Sequence, residues 1–264
     1  MSKTYEPLYT DEFGTGTEVV VFLPGLGATT RYWGDRVRPL ATTHRVVLVD
    51  LLGFGESPKP WCKYSVDRHV QALADVLAHR PPFRLVGHSL GAVLALAYAA
   101  RYPNQVSDLV LFSLPNFRSE SEAYHYFRHG PPSGGWLATN IVLATVACLV
   151  TRRLLGWLLP YAISNLPREV VEDLVKHTWR SSTSSLWEVI YRHNPAADVH
   201  KLDSKLPVVC IHGDQDTVAP LQSVSQLIDS GSDWKLQVFP GVDHHPFLRE
   251  TAACLRLIAG QNLE

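Results

Sequence analysis

The chain has 264 residues, 46% hydrophobic and 19% charged, which supplies enough apolar material for one large globular domain and argues against disorder. Its 24 basic and 25 acidic residues give a formal charge of -1 with no basic block long enough to track a phosphate backbone, so no nucleic-acid partner is expected. The cysteines, Cys62, Cys148, Cys210 and Cys254, are far apart and form no C-x-x-C pair, which excludes the usual zinc and redox motifs and suits buried thiols in a reducing compartment.

The first residues, Met1–Pro7, lack the apolar run of a secretory signal, and a cytoplasmic location is expected. Val19–Leu23 and Val46–Val49 are short apolar runs rich in β-branched residues, the pattern of strands buried on both faces of a parallel sheet. Between them Trp33–Leu40 reads as a helix, and beyond them Val66–His79 reads as an amphipathic helix. Phe83–Val86 then reads as a strand, Leu90–Arg101 as an Ala- and Leu-rich helix, and Val106–Phe112 as another strand. After a long interruption come the strand Pro207–Ile211, the helix Leu221–Ile228, the strand Trp234–Phe239 and a closing helix Pro246–Ile258. This alternation predicts an α/β fold, a mostly parallel central sheet with helices on both faces.

The interruption, from about Asn116 to Pro195, is too long for one connection and has no strand pattern, so it reads as an inserted helical cap. The expected division is a core of residues 1–115 and 196–264 with a cap of residues 116–195. Within the cap, Ile141–Val150 is apolar on nearly every side before Arg152 and Arg153 intervene, and Leu154–Ile163 then resumes the apolar pattern. A membrane span needs about 20 uninterrupted apolar residues, so none is expected here. The preferred reading is a lid that excludes water from a site beneath it; the other is an interfacial helix docked on lipid.

Chemistry is concentrated in Gly87-His88-Ser89-Leu90-Gly91, where a serine sits between a buried strand and a helix. A sharp strand-to-helix turn pushes the hydroxyl out over the sheet, flanking glycines remove Cβ clashes, and the helix N-terminus aims N–H groups at developing negative charge. An alcohol is a weak nucleophile at neutral pH and needs a base beside it, itself oriented by an acid. Candidate acids, Asp214 and Asp216, follow the strand ending at Ile211, and candidate bases, His244 and His245, follow the strand ending at Phe239. Spacing alone does not separate the members of either pair.

With these motifs in this order over Val19–His244, the chain resembles the α/β-hydrolase superfamily, and in particular small capped serine esterases and carbon–carbon bond hydrolases of the meta-cleavage type. The resemblance implies Ser89 as nucleophile, Asp216 rather than Asp214 as acid, and His244 as base. Similar proteins usually have Gly before that histidine and an aromatic after it, where this chain has Asp243 and His245. A carboxylate at Asp243 is expected to raise the pKa of a neighbouring histidine. The resemblance also places an oxyanion hole at the N–H groups of Leu90 and Leu26, the latter in Pro24-Gly25-Leu26-Gly27, where similar hydrolases often have His-Gly. Expected pocket residues are Gly25, Phe54, His88, Leu143, Leu158 and His245, with Leu154 adding to the apolar cap. Asp50–Ser57 is assigned no chemistry beyond Phe54, and His88 and His212 read as structural.

No H-x-x-x-H pair with an acid lies on a helix, so neither a metal nor a cofactor is expected. The expected activity is serine hydrolysis of a carboxylic ester of a small to medium hydrophobic substrate, through an acyl-enzyme resolved by water. Alternatives are carbon–carbon cleavage of a vinylogous diketone, with Arg128, Arg152, Arg153 or Arg168 holding a dienol carboxylate, an acyltransferase, or a low-turnover ligand-binding protein.

Overall fold

The structure is a computed structural model that describes residues 6–129, 139–151, 156–229 and 234–261. Seven strands form one sheet: β1 (Thr10–Phe13), β2 (Glu18–Leu23), β3 (His44–Val49), β4 (Phe83–His88), β5 (Val106–Phe112), β6 (Val208–Gly213) and β7 (Lys235–Phe239). Their order is β1-β3-β2-β4-β5-β6-β7, with β1 antiparallel to β3 and every other pair parallel. The chain runs outward from β2 to β3 and then back across β2 to β4, so the winding direction reverses between β2 and β4. In an open α/β sheet the crevice at the carboxyl ends of the strands beside such a reversal is where ligands bind.

Central strands bury both faces, which is why their sequences are continuous apolar runs rather than alternating ones. β1 escapes such a search because it is a short polar edge strand, Thr-Asp-Glu-Phe, paired from Thr10 opposite Val49 to Phe13 opposite Val46. Helices α1 (Val66–Leu77) and α2 (Leu90–Arg101) close one face; Ser65 caps α1 by accepting the Arg68 N–H at 3.3 Å. The other face is covered by the segment Gly34–Thr42 and the C-terminal helices, with Trp33 wedged against Phe22, Phe112 and Phe247. The helix expected at Trp33–Leu40 is a 3-10 helix, Gly34–Thr42; Pro39 inside it removes a backbone donor. The closing helix also divides, into Pro246–Arg249 and Thr251–Ile258, where Glu250 leaves the helical region at φ -120.

Between β5 and β6 the described elements are helical, apart from a single bridge between Phe54 and His177. They include α3 (Glu120–His129), Ile141–Val150, Leu159–Ala162, Arg168–Asp173 and Trp179–Ser185, the last continuing into a π-helical turn at Leu186–Tyr191. This is an inserted helical cap. A cluster around one buried carboxylate ties it to the core: Asp173 accepts from the Thr29 hydroxyl at 2.5 Å and Arg31 at 2.8 Å, and pairs with Lys176 at 3.0 Å. Arg152, Arg153 and Leu154 lie outside the described residues. No helix among the described residues is long and apolar enough to cross a membrane.

Candidate active site

β4 ends in the turn at Ser89, whose backbone sits at φ 54, ψ -117. For a non-glycine residue this conformation costs on the order of 1–3 kcal/mol and persists only where the surroundings impose it. They do so here. The Ser89 N–H donates to the Phe112 carbonyl at 2.9 Å, and the glycines on either side allow contacts closer than any side chain permits. A Cβ on Gly91 meets the Leu23 and Pro24 carbonyl oxygens at 2.5 Å, and one on Gly87 meets the Gly91 backbone. The start of α2 is thus pressed onto the end of β2.

The loops after β6 and β7 bring two further groups to this turn. His244 Nε2 lies 2.9 Å from Ser89 Oγ, and His244 Nδ1 lies 2.8 and 2.9 Å from the two Asp216 carboxylate oxygens. Asp216 also accepts the N–H groups of Val218 at 2.9 Å and Ala219 at 2.8 Å. Burial acts to raise its pKa, but the hydrogen bond and charge of His244 and the Ala219 N–H outweigh it, and the carboxyl is held below its ordinary range. Asp214 stands apart: it is exposed and accepts the Gly241 N–H at 2.7 Å, clasping the turn after β7. The two acids that spacing left equivalent therefore have different partners.

The histidines around this line are uncharged supports. His88 Nε2 donates to the His244 carbonyl at 2.8 Å and stacks on Tyr32 with ring centroids 4.6 Å apart. Burial, with the charges of His244 and His245, pushes the His88 pKa well below its ordinary value. His212 Nε2 donates to the Ala219 carbonyl at 2.7 Å and lies 3.4 Å from Asp216, fixing the acid loop from below; burial lowers its pKa as well. The Asp243 carboxylate acts to raise the His245 pKa as expected, but other causes outweigh it. Asp243 is taken by Arg249 at 2.6 Å, and the His245 pKa falls to about 4 because burial outweighs the carboxylate. His245 instead faces Tyr32, whose hydroxyl lies 3.4 Å from its Nδ1.

Opposite Ser89, Gly25–Ala28 forms a turn closed by the Ala28 N–H on the Gly25 carbonyl at 3.2 Å, with Gly27 at φ 78 in its third position. In such a turn the second residue, Leu26, donates nothing to the closing bond. Leu90 opens α2, where first-turn N–H groups have no intrahelical acceptor. Gly25 has no room for a side chain: a Cβ there lies 2.9 Å from His88 Nδ1.

A cavity of about 240 Å³ opens over Ser89, lined from the core by Gly25, Leu26, Tyr32, His88, Ser89, His244 and His245. The cap closes it with Phe127, Leu166, Val170, Leu174, Leu186 and Ile190. Of the expected pocket residues, Gly25, His88 and His245 line it. Phe54, Leu143 and Leu158 do not: Phe54 is buried against His177, while Leu143 and Leu158 are exposed on the outer side of the cap. Apolarity alone chose those two leucines, whereas the lining cap residues were marked by i, i+4 pairs, Val170 with Leu174 and Leu186 with Ile190, on helical turns facing the sheet. No group of three His, Cys, Asp or Glu side chains among the described residues is arranged to hold a metal ion.

The protein named "Probable lysophospholipase BODYGUARD 4" of Arabidopsis thaliana is 26% identical over 253 residues, covering 86% of this chain and 60% of that protein. The chain spans about half to three-fifths of the length of the BODYGUARD relatives it matches. Among solved structures, an esterase from Exiguobacterium antarcticum is similar at a TM-score of 0.77 and 18% identity, over 96% of this chain and 94% of that one. A bromoperoxidase from Bacillus anthracis gives a TM-score of 0.75 at 20% identity, over 96% and 95% of the two chains. At these identities the structures speak for the fold alone. The family profile of the alpha/beta hydrolase fold matches residues 18–251, almost the whole sheet and the cap within it, and the chain belongs to that family.

Proposed function

We propose that the protein is a serine hydrolase that cleaves carboxylic esters of small to medium apolar acyl groups through an acyl-enzyme. The observation that carries this reading is the unbroken line from Ser89 Oγ to His244 Nε2 at 2.9 Å and from His244 Nδ1 to Asp216 at 2.8 Å. Ser89 attacks the carbonyl carbon while His244 takes its proton; Asp216 holds the imidazole in the productive tautomer and stabilises the cation that forms. The N–H groups of Leu26 and Leu90 receive the oxyanion, and the protonated His244 then gives its proton to the leaving alkoxide. Water, deprotonated by the same imidazole, releases the acid and restores Ser89. We assign residues 1–115 and 196–264 to the catalytic core and 116–195 to the cap, and the protein's free thiols suit a reducing, cytoplasmic setting.

The lining of the cavity supports an ester over a diketone carrying a carboxylate. Among the described residues it holds no arginine or lysine; Arg128 and Arg168 are exposed, the latter paired with Glu172 at 3.0 Å, and Arg152 and Arg153 lie outside the described residues. A dienol carboxylate placed above Ser89 therefore meets apolar walls. The words lysophospholipase and esterase in the names of similar proteins point the same way. Labelling with a fluorophosphonate is expected at Ser89, and Ser89→Ala is expected to lower p-nitrophenyl ester turnover by roughly 10⁴-fold or more with the fold retained. Reaction at another residue, or turnover kept in the variant, overturns the mechanism.

A further inference from the structure

The helix Ile141–Val150 is apolar on nearly every side, yet none of its residues is buried. Val142 is 65% exposed and Val146 50%, and along the chain Trp157 and Tyr161 are exposed by 71% and 72%. Exposure on this scale is uncommon for a folded surface and marks a face that meets something. On one side the helix borders a groove of about 330 Å³, where Leu149 meets Trp61, Trp179, Lys59 and Arg180. Trp61 is 75% exposed there, with the Arg180 guanidinium over its ring at 4.1 Å.

Charge supplies the second observation. Among the described residues the groove is lined by two cations, Lys59 and Arg180, and by no Asp or Glu, although the chain as a whole has a formal charge of -1. We propose that this face of the cap docks on a lipid surface bearing anionic headgroups. Aromatic rings that are apolar in body and polar at one edge settle at the boundary between headgroups and acyl chains, and arginine and lysine beside them meet the phosphates. The helix is too short to span a bilayer and suits one lying in its surface. A second copy of this chain is the poorer occupant, because it brings the same cationic groove, Lys59 with Arg180, against itself. Leu159–Ala162, which carries the exposed Tyr161, packs on Arg168–Asp173, which contributes Val170 to the cavity wall.

Flotation of the full chain with vesicles of phosphatidylcholine alone, and with about 30% phosphatidylserine added, tests the proposal. The chain is expected to float with the anionic vesicles, and less so in about 0.5 M salt. The double variant Val142→Asp, Val146→Asp is expected to lose at least about tenfold in vesicle partition with its melting temperature unchanged. Val142→Ser with Val146→Ser serves if the aspartates disturb folding. Absence of flotation, or equal flotation of wild type and variant, overturns docking; equal partition into both vesicle types overturns the anionic assignment. Self-association abolished by the same substitutions, without vesicle binding, assigns the face to a second copy and equally overturns it. Flotation is read independently of ester turnover, so failure of the hydrolase reading leaves this test intact.

Discussion

Ser89, His244 and Asp216 are held by groups that do not themselves touch the reacting atoms, and His88 is the most direct of these. Its Nε2–H fixes the His244 carbonyl at 2.8 Å, and its ring is buried against Tyr32. His88→Phe keeps the ring stack and removes the donor. One hydrogen bond of about 1 kcal/mol corresponds to a loss of roughly tenfold or less in kcat/KM. The loss is expected in kcat rather than KM, and His88→Gln, which restores a donor, is expected to recover part of it. Equal kcat in His88→Phe and wild type excludes the positioning role. Asp216→Asn is expected to lower kcat by about 10⁴-fold because the amide favours the wrong imidazole tautomer, and steady-state kinetics on a chromogenic ester check it. The neighbouring acid provides the control: Asp214→Asn, which alters only the clasp on Gly241, is expected to leave kcat within about threefold.

Among the elements, the cap helix Arg168–Asp173 depends on one buried carboxylate. Asp173 is 1% exposed and accepts from Thr29, Arg31 and Lys176, which belong to both the core and the cap. Asp173→Ala leaves these donors without their shared acceptor, at a cost of about 1–3 kcal/mol. Val170 lies on this helix and Leu174 just past it, so the same substitution is expected to raise KM for apolar esters more than it lowers kcat; calorimetry and kinetics together check both effects. How far each element was legible in the sequence follows from its burial. The runs Val19–Leu23 and Leu109–Phe112 are buried on both faces and announce themselves by composition, whereas β1, partly exposed and four residues long, carries no such signal. Gly34–Thr42 and Glu250 show the limit at helix boundaries, where a proline or a single change of backbone angle decides the outcome. The cap was recognisable as helical from its length and lack of strands, but Leu143 and Leu158 were placed inward on apolarity alone, and a helix apolar on nearly every side gives no clue to which side faces the protein.

At the scale of the whole molecule, buried neutral histidines couple stability to pH. Burial lowers the pKa of His69 to about 3 and that of His245 to about 4, against about 6.5 in an unfolded chain. Between these values the unfolded state binds more protons than the folded one, so stability rises with pH. Their contribution is complete above about pH 6.5 and is lost as pH falls toward 4 and then 3, with a slope of up to about 1.4 kcal/mol per pH unit for each group. Urea unfolding at pH 7, 6 and 5 is expected to show this decline, and His69→Phe to flatten it whatever its stability at pH 7. An unchanged slope in that variant removes His69 from the account. The sequence by itself determined the α/β architecture, the strand-serine-helix turn and the loops that carry the candidate acids and histidines, because buried strands and a glycine-flanked serine leave local patterns. Family resemblance already prefers Asp216 to Asp214 and His244 to His245, and the tertiary structure shows the contacts that distinguish them; only the structure selected the cap residues that line the cavity and exposed the apolar face of Ile141–Val150. Each of those outcomes depends on which groups meet across more than twenty residues of chain, a relation that composition and spacing do not contain.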